Sequence, residues 1–331
     1  MNNDNFSNEG IILVLGVTGS GKSYFLNKLK SHSVKEGHGL QSETAQCQAV
    51  QILLDDDDND DDEGEGRRSI TVVDTPGFDD TNRPEGEILT EITEFLAAQH
   101  ELGVPLRGVL YLHKITDNKM TGSSLTYLNL LRSLVGEDAL GNVVLVTNMW
   151  NKLRDEDRGQ ALRREQELVD KYWGPMQKKG SYVVQFDGTT DSAFGLIYQF
   201  AGKDSVVLDV QKQIMDQDQS VLGTSAGGDL ARKLKNDIGF YQDKVAQLEA
   251  QLEDKLRAPR QNRERIRRLQ ENKARMEEQL GLATKSMERM MVRPSSSIRR
   301  RLKQALKERG RDAALVLAAV LNLTLTVVLG G

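Results

Sequence analysis

Along residues 10–200, short apolar runs alternate with longer segments whose apolar positions recur every three or four residues. The runs Ile11–Leu15, Ala45–Leu54, Arg68–Val73, Gly108–His113, Asn142–Thr147 and Ser181–Phe186 have the length and β-branched content of buried strands. Between them, Lys22–Leu29, Glu87–His100, Ser123–Val135, Asp157–Trp173 and a segment through Gly195 and Phe200 carry helical spacing. The first helix turns Tyr24, Phe25, Leu26 and Leu29 inward, and Gly122 with Ser123 caps the third. This alternation predicts an α/β domain over residues 1–220. Its parallel sheet would carry helices on both faces and ligand loops at the C-terminal ends of the strands.

Beyond residue 220 the pattern changes. Val221–Gly228 (VLGTSAGG) reads as a flexible linker before a helical unit at 229–293. There Leu234, Ile238, Tyr241, Val245, Leu248 and Leu252 fall in steps of four and three, the spacing of a coiled-coil seam. Pro259 interrupts it, and Leu269, Met276, Leu280, Ala283, Met287 and Met290 follow. An antiparallel hairpin and a kinked rod joining two copies both satisfy this pattern. Residues 294–312 are strongly basic, with Ile298, Leu302, Ala305 and Leu306 on one face, which suits an anionic membrane surface. The final segment, 313–331, is apolar from Ala313 to Leu329 apart from Asn322, Thr324 and Thr326. As a helix that run would rise about 26 Å, just short of the roughly 30 Å bilayer core, and the basic flank would stay cytosolic. A tail anchor on an intracellular membrane is the expectation, and a self-packing C-terminal helix the alternative.

Charge refines this picture at one place. The run Asp55–Glu63 holds eight acidic residues; set against the net charge of −5, it leaves +3 on the rest of the chain. Acidity therefore describes one loop, expected as a solvated hairpin tip, and its spacing lacks the central Gly of a calcium loop. A single cysteine, Cys47, rules out an internal disulfide and suits a reducing compartment. The first ten residues lack a basic and an apolar region, so no signal peptide is expected and a cytoplasmic setting is. The basic stretch comes without aromatic interleaving or a base-reading module, and no nucleic-acid partner is expected.

The chemistry concentrates behind the first strand. Gly16-Val17-Thr18-Gly19-Ser20-Gly21-Lys22-Ser23 fits the phosphate-binding loop of Gly, four residues, Gly-Lys and Ser or Thr. Its glycines let backbone N–H groups close on a polyphosphate, Lys22 reaches the β- and γ-phosphate oxygens, and Ser23 offers a hydroxyl to Mg²⁺. Tyr24, next in line, completes the stretch expected to line the nucleotide. The second signal is Asp74-Thr75-Pro76-Gly77-Phe78 at the end of a buried strand, the Asp-x-x-Gly pattern of GTPases. Asp74 would hold the metal through water, and the Gly77 N–H would sense the γ-phosphate. The polar loop Lys30–Gln41 reads as a switch. Thr44, with Ser42 as a rival, is its candidate metal and γ-phosphate ligand; Lys22 and Thr44 are the candidate catalytic residues, and Ser23, Thr44 and Asp74 the candidate metal set.

Two positions depart from the usual chemistry. Ras-like enzymes follow Asp-x-x-Gly with a Gln that orients the attacking water. Phe78 stands there instead and can neither donate nor accept a proton, so slow hydrolysis coupled to assembly is expected. In Thr147-Asn148-Met149-Trp150-Asn151, Asn148 fits the base-recognition motif, but Asn151 replaces an Asp that accepts from guanine N1–H and N2–H₂. An amide supplies one acceptor and presents donors, which leaves guanine preference open. Trp150 could stack on the base or fill the core. His113-Lys114 stands at a strand end near the phosphates, and Asp187-Gly188 or Ser192-Ala193 could form the loop that touches the base.

With these motifs, residues 10–200 resemble the immune-associated nucleotide-binding GTPases, called GIMAPs in animals and related to septins and to the Toc receptors of chloroplasts. The string YLHKITDNKMTGSSL looks like fungal G-domain proteins of this type. The resemblance implies a Ras-like P-loop sheet that binds GTP or GDP with Mg²⁺, hydrolyses slowly, and forms homodimers or oligomers across the nucleotide face. The expected function is a nucleotide-controlled switch or scaffold at a membrane. The alternatives are a non-hydrolysing pseudo-GTPase interaction module and, opposed by Asp74–Gly77, a P-loop kinase or ATPase.

Overall fold

A computed structural model describes residues 7–29, 47–53, 68–78, 80, 83–257, 262–309 and 324–326. Strands and helices alternate as β1 (Ser7–Gly16), α1 (Lys22–Leu29), β2 (Gln48–Leu53), β3 (Arg68–Asp74), α2 (Glu85–Glu101), β4 (Leu106–Lys114), α3 (Gly122–Val135), β5 (Val143–Asn148), α4 (Asp155–Leu168), α5 (Gly174–Gln177), β6 (Tyr182–Gln185) and α6 (Thr190–Tyr198). The sheet runs β6-β5-β4-β1-β3-β2 and is parallel except where β2 pairs antiparallel with β3. The expected α/β architecture is found. Alternate residues of β1 feed two separate cores, Ile11, Leu13 and Leu15 towards α2 and α3, Ile12 and Val14 towards α1 and α6. Strands covered on both faces cannot alternate with polar residues, and so they read as continuous apolar runs.

Local chemistry shifts several boundaries. Thr121, rather than Gly122 or Ser123, caps α3, its hydroxyl accepting from the Ser124 N–H. Asp155 and Glu156 join Asp157 in the first turn of α4, where carboxylates favour the positive end of the helix. The expected single helix to Trp173 instead widens into a π turn at Val169–Trp173, which sets the fully buried Trp173 edge-on to His113.

After the short α7 (Asp209–Gln211) come α8 (Ser225–Arg257), α9 (Arg263–Met290) and α10 (Ser295–Arg309). The stretch 221–228 is not a linker: a 3₁₀ turn at Val221–Gly223 runs into the first turn of α8. Its small residues serve close packing, since a Cβ on Gly227 would lie 1.8 Å from the Val221 carbonyl oxygen. Helices α8 and α9 lie side by side as an antiparallel pair, with Lys273 Nζ 2.9 Å from Glu249. The hairpin alternative is the one adopted. Its seam positions are buried or half-buried, and the ends of the pair nearest the sheet also pack on α2 and α3, which is why Leu234, Ala283 and Met290 are buried.

The basic helix α10 differs from its expected role. Ile298, Leu302 and Ala305 are buried on the protein itself, and Arg301 and Arg299 pair with Glu94 and Glu101 of α2 at 2.9 and 3.1 Å. Three of the four apolar positions offered to a membrane are thus already covered, Leu306 remaining exposed. Within the tail, Thr324–Thr326 forms β7, a parallel extension of the sheet on β2. Among the described residues no helix is long and apolar enough to cross a membrane. Residues 313–323, like the acidic run Asp55–Glu63, lie outside the described residues.

Candidate functional site

Between β1 and α1 the chain must reverse within five residues, and Gly19 and Gly21 adopt φ values of +73° and +91° that side chains rarely take. At Gly21 space is decisive as well, because a Cβ would lie 2.3 Å from Asn148 Nδ2. That amide donates to the Ser20 carbonyl at 2.9 Å, so the strand-end Asn148 braces the loop from behind. Lys22 is buried and its ammonium donates to the Gly16 and Val17 carbonyls at 3.1 and 3.2 Å, holding the charge over the loop.

The second motif closes on the first. The Ser23 hydroxyl donates to Asp74 Oδ2 at 2.8 Å, joining positions 51 residues apart. Thr75 anchors the turn by donating to the Val14 carbonyl at 2.8 Å, and a Cβ on Gly77 would lie 2.6 Å from the Thr18 backbone nitrogen. A hydroxyl and a carboxylate at one point are the hard oxygen donors that Mg²⁺ takes. Ser23 and Asp74 therefore fit the metal. Thr44 and Ser42 lie outside the described residues.

Residues 9–121 match the family model for septins. The matched span runs from β1 to the turn before α3 and contains both the phosphate loop and the Asp74–Gly77 turn. Among curated proteins none matches. Among solved structures the chain is similar to Toc33 from Arabidopsis thaliana in complex with GDP and Mg²⁺, with 15% identity over 60% of this chain and 88% of that one and a TM-score of 0.41. It is also similar to a dimerization-deficient Toc33 mutant, with 18% identity over 53% and 69% and a TM-score of 0.41. A third, Era from Aquifex aeolicus bound to GDP·AlF4⁻, has 14% identity over 68% and 67% and a TM-score of 0.41. The expected likeness to septins is thus found over residues 9–121, about a third of the chain, and it does not distinguish the immune-associated branch or a fungal type.

Phe78 is turned away from the loop, 1% exposed, and its ring stacks on Tyr127. Trp150 takes the core alternative: it is buried, and its Nε1–H donates to Thr147 Oγ1 at 3.0 Å. Asn151 is exposed, and its Nδ2 lies 3.1 Å from the Tyr24 hydroxyl, which lies 3.2 Å from the Gly188 carbonyl oxygen. Of the two base-loop alternatives, Asp187-Gly188 is the one beside Asn151, while Ser192 serves the cap of α6 through Thr189. The sequence placed Tyr24 and Asn151 separately; their meeting needed the fold.

His113 does not join the loop. It is 4% exposed and lines a cavity of about 300 Å³ with Asp117, Lys119, Arg164 and Glu167. Burial pushes its imidazole below the ordinary value, with Asp117 opposing and Lys114 adding to the shift. Cys47 is fully buried, and burial followed by the Glu91 carboxylate pushes its thiol well up, which makes it unreactive.

Proposed function

We propose that the α/β domain binds a guanine nucleotide with Mg²⁺ and that the protein is a slow GTPase acting as a nucleotide-controlled switch. The observation that carries this is the 2.8 Å contact of Ser23 with Asp74 beside the Lys22 ammonium, which brings metal and phosphate ligands from two motifs to one point. The septin match over residues 9–121 supports it. Backbone N–H groups of Gly16–Ser23 cradle the phosphates, Lys22 neutralises them, and Gly77 offers its N–H to the γ-phosphate. Bound Mg²⁺, held through Ser23 and Asp74, supplies further charge neutralisation. Equilibrium binding of GTP and GDP to the full chain tests the reading. Lys22→Ala is expected to abolish binding, and undiminished affinity in that variant would sink the proposal.

The burial of Phe78 favours a second reading, a non-hydrolysing interaction module. No side chain at that position reaches an attacking water, so turnover must come from a partner copy or activator. Single-turnover hydrolysis across a range of protein concentrations separates the two: a rate rising with concentration supports the switch, and none at any concentration supports the module. Self-association through the α/β domain or the α8–α9 pair belongs to the same proposal. Attachment to the cytosolic face of a membrane rests on the apolar composition of 313–331, and vesicle flotation with and without those residues tests it.

A further inference from the structure

The Tyr24 hydroxyl lies between two groups that fix its polarity. One is the Gly188 carbonyl oxygen at 3.2 Å, which can only accept; the other is the Asn151 amide at 3.1 Å. A phenol has one proton. Given to Gly188, it leaves the Tyr24 oxygen only lone pairs for Asn151, which must then present Nδ2 and not its carbonyl. Proton counting thus decides which end of the amide faces the phenol. Asn151 Oδ1 is held at the opposite corner and accepts no hydrogen bond among the described residues.

The arrangement is braced. The Tyr24 ring packs 6.3 Å from that of the buried Phe186, with Lys28 Nζ 5.1 Å above it. Gly188 has φ +89°, and a Cβ there would lie 2.6 Å from Asn151 Nδ2 and 3.1 Å from the Tyr24 hydroxyl, so a side chain at 188 would force the three groups apart. An unrestrained Asn151 could offer a base either end of its amide. Guanine presents donors at N1 and C2, whereas xanthine presents a donor at N1 and an acceptor at C2. A rotating amide matches xanthine at least as well as guanine.

We propose that Tyr24 is a positioning residue for base selection: by holding Nδ2 of Asn151 it turns the Oδ1 acceptor to the base, which favours guanine and disfavours xanthine. The inference rests on the nucleotide-binding reading above. Selectivity lost with the Asp carboxylate is recovered by tethering its replacement.

The test is the affinity of the full chain for GTP, XTP and ITP with Mg²⁺, in the wild type, Tyr24→Phe, Gly188→Ala, Asn151→Asp and the Tyr24→Phe/Asn151→Asp double variant. The wild type is expected to prefer GTP to XTP. Tyr24→Phe removes one hydrogen bond and should narrow the GTP:XTP ratio by about fivefold or more, chiefly through tighter XTP binding, with GTP:ITP falling as well. Gly188→Ala should narrow it in the same sense. With Asp at 151 both ends of the side chain accept, so Tyr24→Phe should leave the ratio unchanged. A variant that merely loosens the domain weakens all three nucleotides alike. An unmoved ratio in Tyr24→Phe, or a wild type that prefers XTP, would overturn the inference and leave nucleotide binding intact. A wild type that binds none of the three overturns the nucleotide-binding reading and, with it, the role of Tyr24.

Discussion

The rings of Phe78 and Tyr127 stack with centroids 5.7 Å apart and planes 10° apart. The residue after Gly77 is thereby committed to the core, and the Tyr127 hydroxyl on the far side donates to Glu85 at the start of α2. Glu85 in turn receives Lys233 of α8 at 2.7 Å. A continuous chain of contacts leads from the Asp74–Gly77 turn to the helical arm.

Truncating Phe78 tests the first link. Phe78→Ala leaves a ring-sized void and is expected to cost about 3–5 kcal/mol in urea unfolding. Phe78→Gln is expected to destabilise as well and to bring no fast hydrolysis, because its amide would enter an apolar slot. Rapid turnover in that variant would contradict the burial argument.

The arm's attachment is tested at Lys233. Burial lowers its affinity for a proton, but the Glu85 and Asp237 carboxylates outweigh this and hold the ammonium above its ordinary value. Lys233→Ala takes the cation from the partly buried Glu85, leaving it the Tyr127 hydroxyl, and should cost about 1–3 kcal/mol, with faster hydrogen exchange in α8 than in β1 or β4. Gly86→Ala strikes the same joint from the other side, since its Cβ would lie 2.1 Å from the Ser286 carbonyl oxygen of α9. A loss of about 1–3 kcal/mol is expected there too.

At the proposed metal position, Asp74→Asn keeps the shape and removes the charge that faces Ser23. Nucleotide affinity in Mg²⁺ should fall about 10–100-fold, and affinity in EDTA should change little. Equal losses under both conditions would mean that Asp74 acts on the fold and not through the metal.

His113 predicts a pH dependence. Its folded value lies below its ordinary 6.5, so the unfolded chain takes up the proton first, and stability is full above that value and lost as pH falls through it. Thermal unfolding should therefore show a drop in melting temperature between pH 7 and pH 5 that shrinks in His113→Gln.

The sequence by itself determined the order of elements, the loop Gly16–Ser23 and the turn Asp74–Gly77, because strand-length apolar runs and contiguous glycine-rich motifs are local properties of the chain. It also set the seam of α8 and α9, whose spacing is local too. The tertiary structure decided everything that depends on two distant residues meeting. It chose the hairpin over the rod, laid the apolar face of α10 on α2, buried Trp150 and Phe78, and set His113 in a cavity apart from the Gly16–Ser23 loop. The same amphipathic pattern in α10 serves a membrane or a neighbouring helix equally well, and the fold chooses by burying Ile298, Leu302 and Ala305 on the protein with Glu94 and Glu101 opposite Arg301 and Arg299. The orientation of Asn151 belongs to this second class. Its amide has two ends of nearly equal size, and which one faces outward is fixed by a phenol and a carbonyl 127 and 37 positions away in the chain.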